Sequence, residues 1–299
     1  MGQLILEVSG LTKRYGKVRA LDGLDLTVQP GQVHGFLGPN GAGKTTTLRV
    51  LLGLLRADSG RVRLFGQDPW RRAASLHQRL AYVPSDVMLW PGLTGGEIID
   101  LLSSLHGRVN ERRRTRLLER FELDPTRKAH TYSRGNRQKV VLVAALACEV
   151  ELLLLDEPST GLDPLMELVF QQAIEEAADR GTAVLLSSHL LPEVEKLCSQ
   201  ITIIKQGKTV ESGTLTQLRQ LTRSHIALSA AVDAGALRSL SGVDDVRQDG
   251  QLYRFSIDHR EIPRLLRLLA DREVTSFSCT PPSLEELFLH HYRTEAGVQ

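Results

Sequence analysis

The stretch Gly38-Pro39-Asn40-Gly41-Ala42-Gly43-Lys44-Thr45, followed by Thr46, decides the fold of this chain. It fits the phosphate-binding loop pattern G-x-x-x-x-G-K-[ST]. A buried strand is predicted over residues 31–37 and a helix over residues 45–52, so the loop lies between them. Its glycines let the backbone wrap around a phosphate, Lys44 can reach the outer phosphates, and Thr45 can ligate Mg²⁺. The pattern predicts a nucleoside triphosphate site.

The bulk composition is that of an ordinary globular protein. The chain has 299 residues, a net charge of +2 and 41% hydrophobic residues, which is enough for one large domain and a smaller one. The charge balance gives no general argument for a nucleic-acid partner. One basic cluster stands out, and we interpret it as the solvated face of a helix: Arg112, Arg113, Arg114 and Arg116.

Three cysteines, Cys148, Cys198 and Cys279, are far apart and form no C-x-x-C pair. This pattern favours a reducing compartment over a disulfide or zinc framework. The N-terminus lacks a signal pattern, and the longest uncharged apolar run, residues 140–148, is too short to span a bilayer. We therefore expect a soluble chain that needs a partner to hold it at a membrane.

The pattern up to about residue 214 alternates strands with helices. Strands over residues 4–8 and 24–28 are predicted near one sheet edge. The later strands are predicted at 61–65, 80–83, 152–155, 182–187 and 201–205, and the helices from 97 to 105 and over 110–121, 164–179 and 191–197. This alternation implies a largely parallel sheet covered by helices, hence an α/β fold. Tyr15 follows the first strand and is either a platform for a stacked base or a half-buried core residue.

The pattern changes after about residue 215. Strands are predicted over residues 226–229, 243–247, 252–257 and 274–278, and helices over 261–270 and 284–291. We predict an ATP-binding domain over residues 1–214 and a small α+β domain over residues 215–299. Because the second domain has no cluster of catalytic residue types, we interpret it as accessory, either regulatory or oligomerising.

A second nucleotide element lies at Leu152-Leu153-Leu154-Leu155-Asp156-Glu157-Pro158. A buried strand here delivers two acids to its carboxyl end, where α/β sheets bind ligands. Asp156 would act on Mg²⁺ through its water shell, and Glu157 can deprotonate an attacking water. His189 follows the strand at 182–187 and can contact the γ-phosphate or that water.

A further phosphate-binding helix start is predicted at Ser133 and Gly135, which offer a hydroxyl and free N–H groups. Because the chain already has a complete phosphate-binding loop, this helix start is best explained by a nucleotide held on another subunit. That arrangement implies a two-fold homodimer with two composite sites.

These motifs occur in the order and spacing of the ABC-transporter ATPase family, which residues 4–214 resemble. The resemblance implies a P-loop ABC ATPase domain with a RecA-like core, edge antiparallel strands and a helical subdomain, using ATP and Mg²⁺. It implies that Tyr15 stacks on adenine and that Ser133, Gly135 and Asn136 form the signature that closes on the partner's ATP. It makes Asp163 a dimer-communication residue, Glu157 the catalytic base and His189 the switch histidine.

The chain departs from the family pattern at two places. Arg134 replaces the first of the two glycines that usually follow the signature serine, as in a subset of exporters. A glutamine that senses Mg²⁺ and the membrane subunit would fall near Ser85, where this chain has Ser85 and Asp86. Neither side chain has the reach and donor set of glutamine. Direct metal ligation by Ser85 is thus in question, and Asp86 is the candidate to substitute through water.

Within the family, the chain resembles the ATPases of ABC type 2 drug and polyketide-antibiotic exporters, of the daunorubicin and tetronasin resistance kind. Residues that carry this likeness are Thr160-Gly161-Leu162-Asp163-Pro164 and Pro282-Ser283-Leu284-Glu285-Glu286-Leu287-Phe288. The resemblance implies a separately encoded membrane permease as partner and a position at the cytoplasmic face of the membrane. The expected docking surface is residues 87–105, which carry Met88, Leu89 and Trp90 in a loop.

Two other functions compete with this one. A soluble ABC ATPase acting on nucleic acid or in translation usually has two ATPase domains, a coiled-coil insertion or zinc cysteines, and none is present here; salt-dependent nucleic-acid binding would distinguish it. An inactive regulatory subunit is opposed by the intact set of Lys44, Thr45, Asp156, Glu157 and His189.

Overall fold

A computed structural model describes residues 4–106, 108–220, 223–270 and 272–287. The chain divides into two compact units, Met1–Ser212 and Gly213–Gln299. The strands of the first unit are β1 (Leu6–Tyr15), β2 (Val18–Val28), β3 (Val33–Leu37), β4 (Ser59–Leu64), β5 (Leu80–Val83), β6 (Arg108–Val109), β7 (Cys148–Glu149), β8 (Leu152–Asp156), β9 (Ala183–Ser188), β10 (Gln200–Lys205) and β11 (Lys208–Gly213). Its helices are α1 (Lys44–Leu51), α2 (Pro69–His77), α3 (Gly95–Leu105), α4 (Glu111–Arg120), α5 (Arg134–Ala147), α6 (Pro164–Asp179) and α7 (Leu191–Leu197).

The main sheet of the first unit has six strands in the order β11-β10-β3-β9-β8-β5. From β10 to β5 all neighbouring strands are parallel. Every residue of β3, β8 and β9 is buried, as expected of parallel strands covered on both faces. The carboxyl ends of β3, β9, β8 and β5 therefore lie side by side, and the predicted site residues follow these ends.

A separate antiparallel sheet, in the order β2-β1-β4, contains the first two strands. We expected those strands at residues 4–8 and 24–28 near an edge of the main sheet; they are longer and form their own sheet with β4. The pairing of β1 with β2 shifts register between Val8 and Leu11, at the left-handed Gly10. Such a bulge interrupts the alternation of apolar and polar residues, which is why the sequence pattern ended at Val8.

The helices of the first unit begin where capping side chains lie. Asn110 caps α4, since its Oδ1 accepts from the N–H of Arg113 at 3.0 Å. Helix α3 begins at Gly95, two residues before the predicted start at Glu97, because Thr94 and Glu97 form a reciprocal capping box. In a capping box the acid is the third helical residue. Glu97 therefore lies within the first turn of α3, and the helix starts two residues before it.

The arginine-rich helix α4 is ion-paired to its neighbours as well as solvated. Arg114 lies 2.6 Å from Asp100 of α3, and Arg116 lies 2.8 Å from Glu176 of α6. Arg112 remains exposed. The cluster therefore joins helices of the first unit, with part of its charge left at the surface.

The three cysteines form no disulfide among the described residues. Cys148 and Cys198 are free and buried, and Cys279 is free and exposed. Burial raises the pKa of the thiols of Cys148 and Cys198, so neither is poised to react.

Within the described residues, no helix is both long enough and apolar enough to cross a bilayer.

The second unit is built on a four-stranded antiparallel sheet in the order β13-β14-β12-β15. Its elements are α8 (Leu215–Gln220), β12 (Arg223–Ala230), α9 (Ala234–Arg238), β13 (Val243–Asp249), β14 (Leu252–Asp258), α10 (Ile262–Leu269) and β15 (Val274–Thr280). Alternate residues of β12 and β14, including Leu228 and Ile257, form its core with Leu265 of α10. Of the helix predicted at 284–291, residues 284–287 are helical, and the remainder, including Phe288, lies outside the described residues.

Candidate functional site

The glycine-rich loop connects β3 to α1, as the sequence predicted. Gly43 precedes the first residue of α1 with φ at +113°, and a Cβ atom there would lie 2.8 Å from the carbonyl oxygen of Ala20. Only glycine tolerates both the backbone angle and the close approach. No side chain caps this helix start, so its first N–H groups remain available for an anion.

Lys44 is held deep in this loop. Its Nζ donates to the carbonyl oxygen of Gly38 at 2.5 Å and lies 3.3 Å from Oε1 of Glu157. The Lys44 side chain is almost fully buried. A buried ammonium needs compensating oxygens, and these two contacts supply them where the outer phosphates of a nucleotide would lie.

Thr45 and Asp156 meet at the ends of α1 and β8. The hydroxyl of Thr45 donates to Oδ2 of Asp156 at 3.0 Å, and the hydroxyl of Ser187 donates to Oδ1 at 2.5 Å. Asp156 is buried, and among the described residues no Lys or Arg pairs with it. A buried carboxylate beside a hydroxyl is a donor set that suits Mg²⁺, which prefers oxygen ligands. Burial and the charge of Asp156 together raise the pKa of nearby Tyr82 to about 12.

Glu157 joins the two sides of the site. Its φ is +52°, in the left-handed region, and its N–H donates to the carbonyl oxygen of Ser187 at 3.0 Å. Oε2 of Glu157 lies 2.5 Å from Nδ1 of His189. A non-glycine residue in this backbone region is costly. The tight turn after β8 aims the carboxylate at both Lys44 and His189.

The segment around Ser133 forms the start of α5. The Oγ of Ser133 accepts from the N–H of Asn136 at 3.2 Å, so the serine caps the helix. A Cβ atom on Gly135 would lie 2.5 Å from the carbonyl oxygen of Gly161. Gly135 therefore lets the start of α5 pack directly against the loop that follows Glu157.

Asp163 caps α6 by accepting from the N–H groups of Leu165 and Met166 at 3.1 and 3.0 Å. It is exposed and follows Gly161 in the same loop. Its described partners thus lie within its own helix, and its predicted role in dimer communication stays a prediction.

A cavity of about 410 Å³ lies over the glycine-rich loop. It brings together predicted residues of several motifs: Pro39, Asn40, Gly41, Gly43, Lys44, Thr45, Thr46, Ser85, Glu157 and His189. The predicted residues that do not line it include Gly38, Ala42, Ser133, Gly135, Asn136, Asp156 and Asp163. A contact of Ser133, Gly135 and Asn136 with the nucleotide of another copy stays a prediction. Tyr15 is 46% exposed and also lies outside this lining, so its adenine-stacking role remains a prediction.

Ser85 and Asp86, the two candidate metal ligands after β5, differ in their position relative to the cavity. Ser85 lines the cavity, whereas Asp86 is exposed and does not. Three further residues line the cavity although the sequence did not predict them as site residues: Ala20, Arg134 and Thr160. Arg134 had been noted only as a departure from a pattern, and its spacing from the loop gave no sign that the fold brings it here.

Comparisons with known proteins agree with this geometry. Residues 21–160 match the ABC transporter family, and residues 213–292 match the C-terminal domain of DrrA1-3-like ATP-binding proteins. The daunorubicin resistance ATP-binding protein DrrA3 of Streptomyces coeruleorubidus is 37% identical, over 97% of this chain and 96% of the relative. The daunorubicin/doxorubicin resistance ATP-binding protein DrrA of Streptomyces peucetius is 36% identical, over 95% and 91%.

A solved ATP-binding subunit of an ABC transporter superposes with a TM-score of 0.69 at 31% identity, covering 73% of this chain and 92% of that one. The fold and the site together define a P-loop ATPase of the ATP-binding-cassette type. Its α/β architecture and its ATP binding are therefore as predicted. The chain belongs to the ATP-binding proteins of ABC transporters, and it is similar to those named for daunorubicin resistance.

Proposed function

We propose that two copies of this chain close over two ATP molecules, hydrolyse them and drive a separately encoded ABC type 2 permease that exports drugs, antibiotics or other amphipathic compounds. The observation that carries the proposal is the convergence of Lys44, Thr45, Glu157 and His189 on one cavity, with the buried Asp156 hydrogen-bonded to Thr45. Relatives named for daunorubicin, doxorubicin and linearmycin resistance support the class of cargo.

In this proposal the chain's own residues divide the chemistry of hydrolysis. Glu157 takes the proton from the attacking water, and His189 orients Glu157 through the 2.5 Å contact. In this structure the Lys44 ammonium contacts both the carbonyl oxygen of Gly38 and the carboxylate of Glu157. Phosphate oxygens would compete for that charge, so nucleotide binding would free the Glu157 carboxylate to act as a base.

Thr45 and Asp156 would hold Mg²⁺, which when bound neutralises charge on the phosphates. Ser133, Gly135 and Asn136 would close on the nucleotide of the second copy, and Asp163 would report that closure. Tyr15 would stack on the adenine. Ser85, in the cavity wall, and Asp86, outside it, would replace the usual glutamine between the metal and the permease.

The proposed docking surface for the permease is an apolar groove of about 300 Å³. The loop before α3 supplies Met88, Leu89 and Trp90 to this groove, and Met88 and Trp90 are 86% and 50% exposed. Leu52 and Leu54 after α1 line its other side. An exposed apolar groove of this kind favours a protein partner, and a permease there would hold the chain at the cytoplasmic face of the membrane.

We further propose that residues 1–214 form the ATPase domain and residues 215–299 an accessory, regulatory domain. Among the described residues, those that line the nucleotide cavity all belong to the first unit, which supports a role for the second outside the chemistry.

The test of this function is purification of a tagged chain from detergent-solubilised membranes. We expect a polytopic permease to co-purify, and the Leu89→Ser/Trp90→Ser double variant to lose the permease and transport while it still binds ATP. The exposed Leu168→Ser change on α6, away from the groove, is the matched control. Recovery of nucleic acid instead of a permease would favour the soluble alternative.

A further inference from the structure

A second polar cavity, of about 290 Å³, lies in the first unit between the end of α1, β4 and the start of α2. Four arginines line it: Arg56, Arg61, Arg63 and Arg71. Asp68 is the one acid in its lining. Four guanidiniums around a single carboxylate leave a strong positive excess, which suits an anionic ligand.

The arrangement follows from local structure. Arg61 and Arg63 are two residues apart on β4, so both side chains lie on one face of the strand. Arg71 lies in the first turn of α2, just before the kink at Arg72. Arg56 comes from the connection after α1. Separate elements thus contribute cations to the same place.

Two of the four arginines have no acidic partner within ion-pair distance among the described residues, whereas the other two contact Asp68. Asp68 lies 3.9 Å from Arg63 and 3.7 Å from Arg71, and its Oδ1 also accepts from the N–H of Trp70. Among the described residues, neither Arg56 nor Arg61 has an acidic partner. Guanidiniums without carboxylate partners retain their forked N–H donors, which match the oxygens of a phosphate group.

Trp70 lines the same cavity and is 50% exposed. Arginine beside a half-exposed tryptophan is the combination found where proteins meet lipid headgroups, because the indole is amphipathic and the guanidinium pairs with phosphate. A cavity for a small soluble anion alone would gain little from an exposed indole.

The cavity adjoins the apolar groove assigned above to the permease. Leu52 and Leu54 line the groove, and Leu55 and Arg56 line the cationic cavity. Helix α2 likewise contributes Trp70 to the cavity and His77 to the groove. If the permease occupies the groove, the cationic cavity lies beside it, on the side of the chain that faces the bilayer.

We propose that this cavity binds the phosphate of an anionic lipid headgroup and so anchors the chain to the membrane surface beside the permease. The membrane-facing orientation rests on the proposed function, whereas the ligand class rests on the arginines and Trp70. The lipid contact would supplement the permease contact, since each arginine near an anionic surface strengthens binding about fivefold.

The test is flotation of the purified full chain with vesicles of phosphatidylcholine containing about 30% phosphatidylglycerol, compared with pure phosphatidylcholine. We expect binding to the anionic vesicles alone, weakening as salt is raised. Arg56→Gln/Arg61→Gln should reduce it about 25-fold. Arg108→Gln/Arg112→Gln removes the same charge from exposed positions outside the cavity and should change it less than about twofold. ATP binding by both variants verifies their folding.

A spectroscopic readout comes from the chain's two tryptophans. In the Trp90→Phe variant, Trp70 is the remaining tryptophan, and its emission should shift to the blue with anionic vesicles. No anionic binding, equal losses in both double variants, or binding of inorganic pyrophosphate without vesicle binding would overturn the lipid assignment. Vesicle binding without permease co-purification would instead overturn the proposed function and leave the lipid site standing.

Discussion

Nδ1 of His189 lies 2.5 Å from Oε2 of Glu157, although the two residues follow different strands of the main sheet. The other oxygen of the same carboxylate, Oε1, lies 3.3 Å from Nζ of Lys44. One carboxylate therefore connects the phosphate-binding lysine to the histidine. Glu157 lines the nucleotide cavity and has a left-handed backbone, with φ at +52°.

The first prediction concerns this carboxylate. Glu157→Gln should reduce ATP hydrolysis by about 10²- to 10⁴-fold, because an amide cannot accept the proton of the attacking water. ATP binding should persist, and closed dimers should accumulate on sedimentation with ATP. The matched control is Glu175→Gln, at an exposed position of α6, which should leave turnover unchanged. Phosphate release within a few-fold of the parent would remove Glu157 as the base.

The second prediction concerns the contact between α5 and the loop after Glu157. Gly135→Ala places a methyl group 2.5 Å from the carbonyl oxygen of Gly161. Backbone must move to relieve this clash, which we expect to cost about 1–3 kcal/mol. Thermal unfolding measures the loss, and ATP hydrolysis should fall with it because the loop is displaced. Gly92→Ala, where a Cβ meets nothing within 4 Å, is the control; equal melting temperatures for both variants would refute the contact.

The third prediction concerns Arg134, which lines the nucleotide cavity. Its Cγ lies 3.5 Å from the point where a Cβ of Gly161 would be, so the side chain runs along that loop. We predict that its guanidinium contacts the outer phosphate of bound ATP. Arg134→Ala should weaken ATP binding about tenfold, the value of one charged hydrogen bond, and ADP binding much less.

Titration of a labelled chain at concentrations where it is monomeric measures this difference. Arg134→Lys should restore part of the affinity, since it keeps the charge without the planar fork. Arg137→Ala lies one turn further along α5, outside the cavity lining, and should have no effect. Equal losses for ATP and ADP would contradict a contact with the outer phosphate.

The fourth prediction concerns pH and Glu193, a buried acid of α7. The hydroxyl of Ser188 donates to its Oε2 at 2.8 Å, while Oε1 has no partner among the described groups. Burial raises the pKa of Glu193. The folded chain then binds this proton more tightly than the unfolded chain, so stability falls as pH rises above the ordinary carboxyl value of 4.5.

Glu193→Gln removes this titration while keeping an acceptor for Ser188. We expect it to stabilise the fold by about 1 kcal/mol at pH 8, where the buried carboxylate is ionised, and by little near pH 4, where it is neutral, because a buried group without full compensation costs on the order of 1 kcal/mol or more. Denaturant unfolding at the two pH values measures the difference. Glu175→Gln is again the control, and an equal effect of Glu193→Gln at both pH values would contradict the assignment.

Much of the fold was predictable because its signals are local. Helix α6 and strand β5 begin and end where the apolar period indicated, since a Pro after the capping Asp163 and a Pro after Val83 mark their limits. Strand β1 was predicted too short, because its bulge at Gly10 breaks the alternation that defines a strand pattern. Helix α9 was missed because five residues are too few to establish a helical period.

The sequence by itself determined the ATP site, because residues 38–45 bind phosphate through the backbone N–H groups of one contiguous loop, which do not depend on distant residues. The order of the motifs likewise determined the family. Tertiary structure alone decided which side chains share a cavity: it places Arg134 beside Gly161, brings His189 to Glu157 and gathers Arg56 and Arg71 into one cationic site. These contacts join residues that are distant in the chain, and no local pattern records how parallel strands and their helices bring them together.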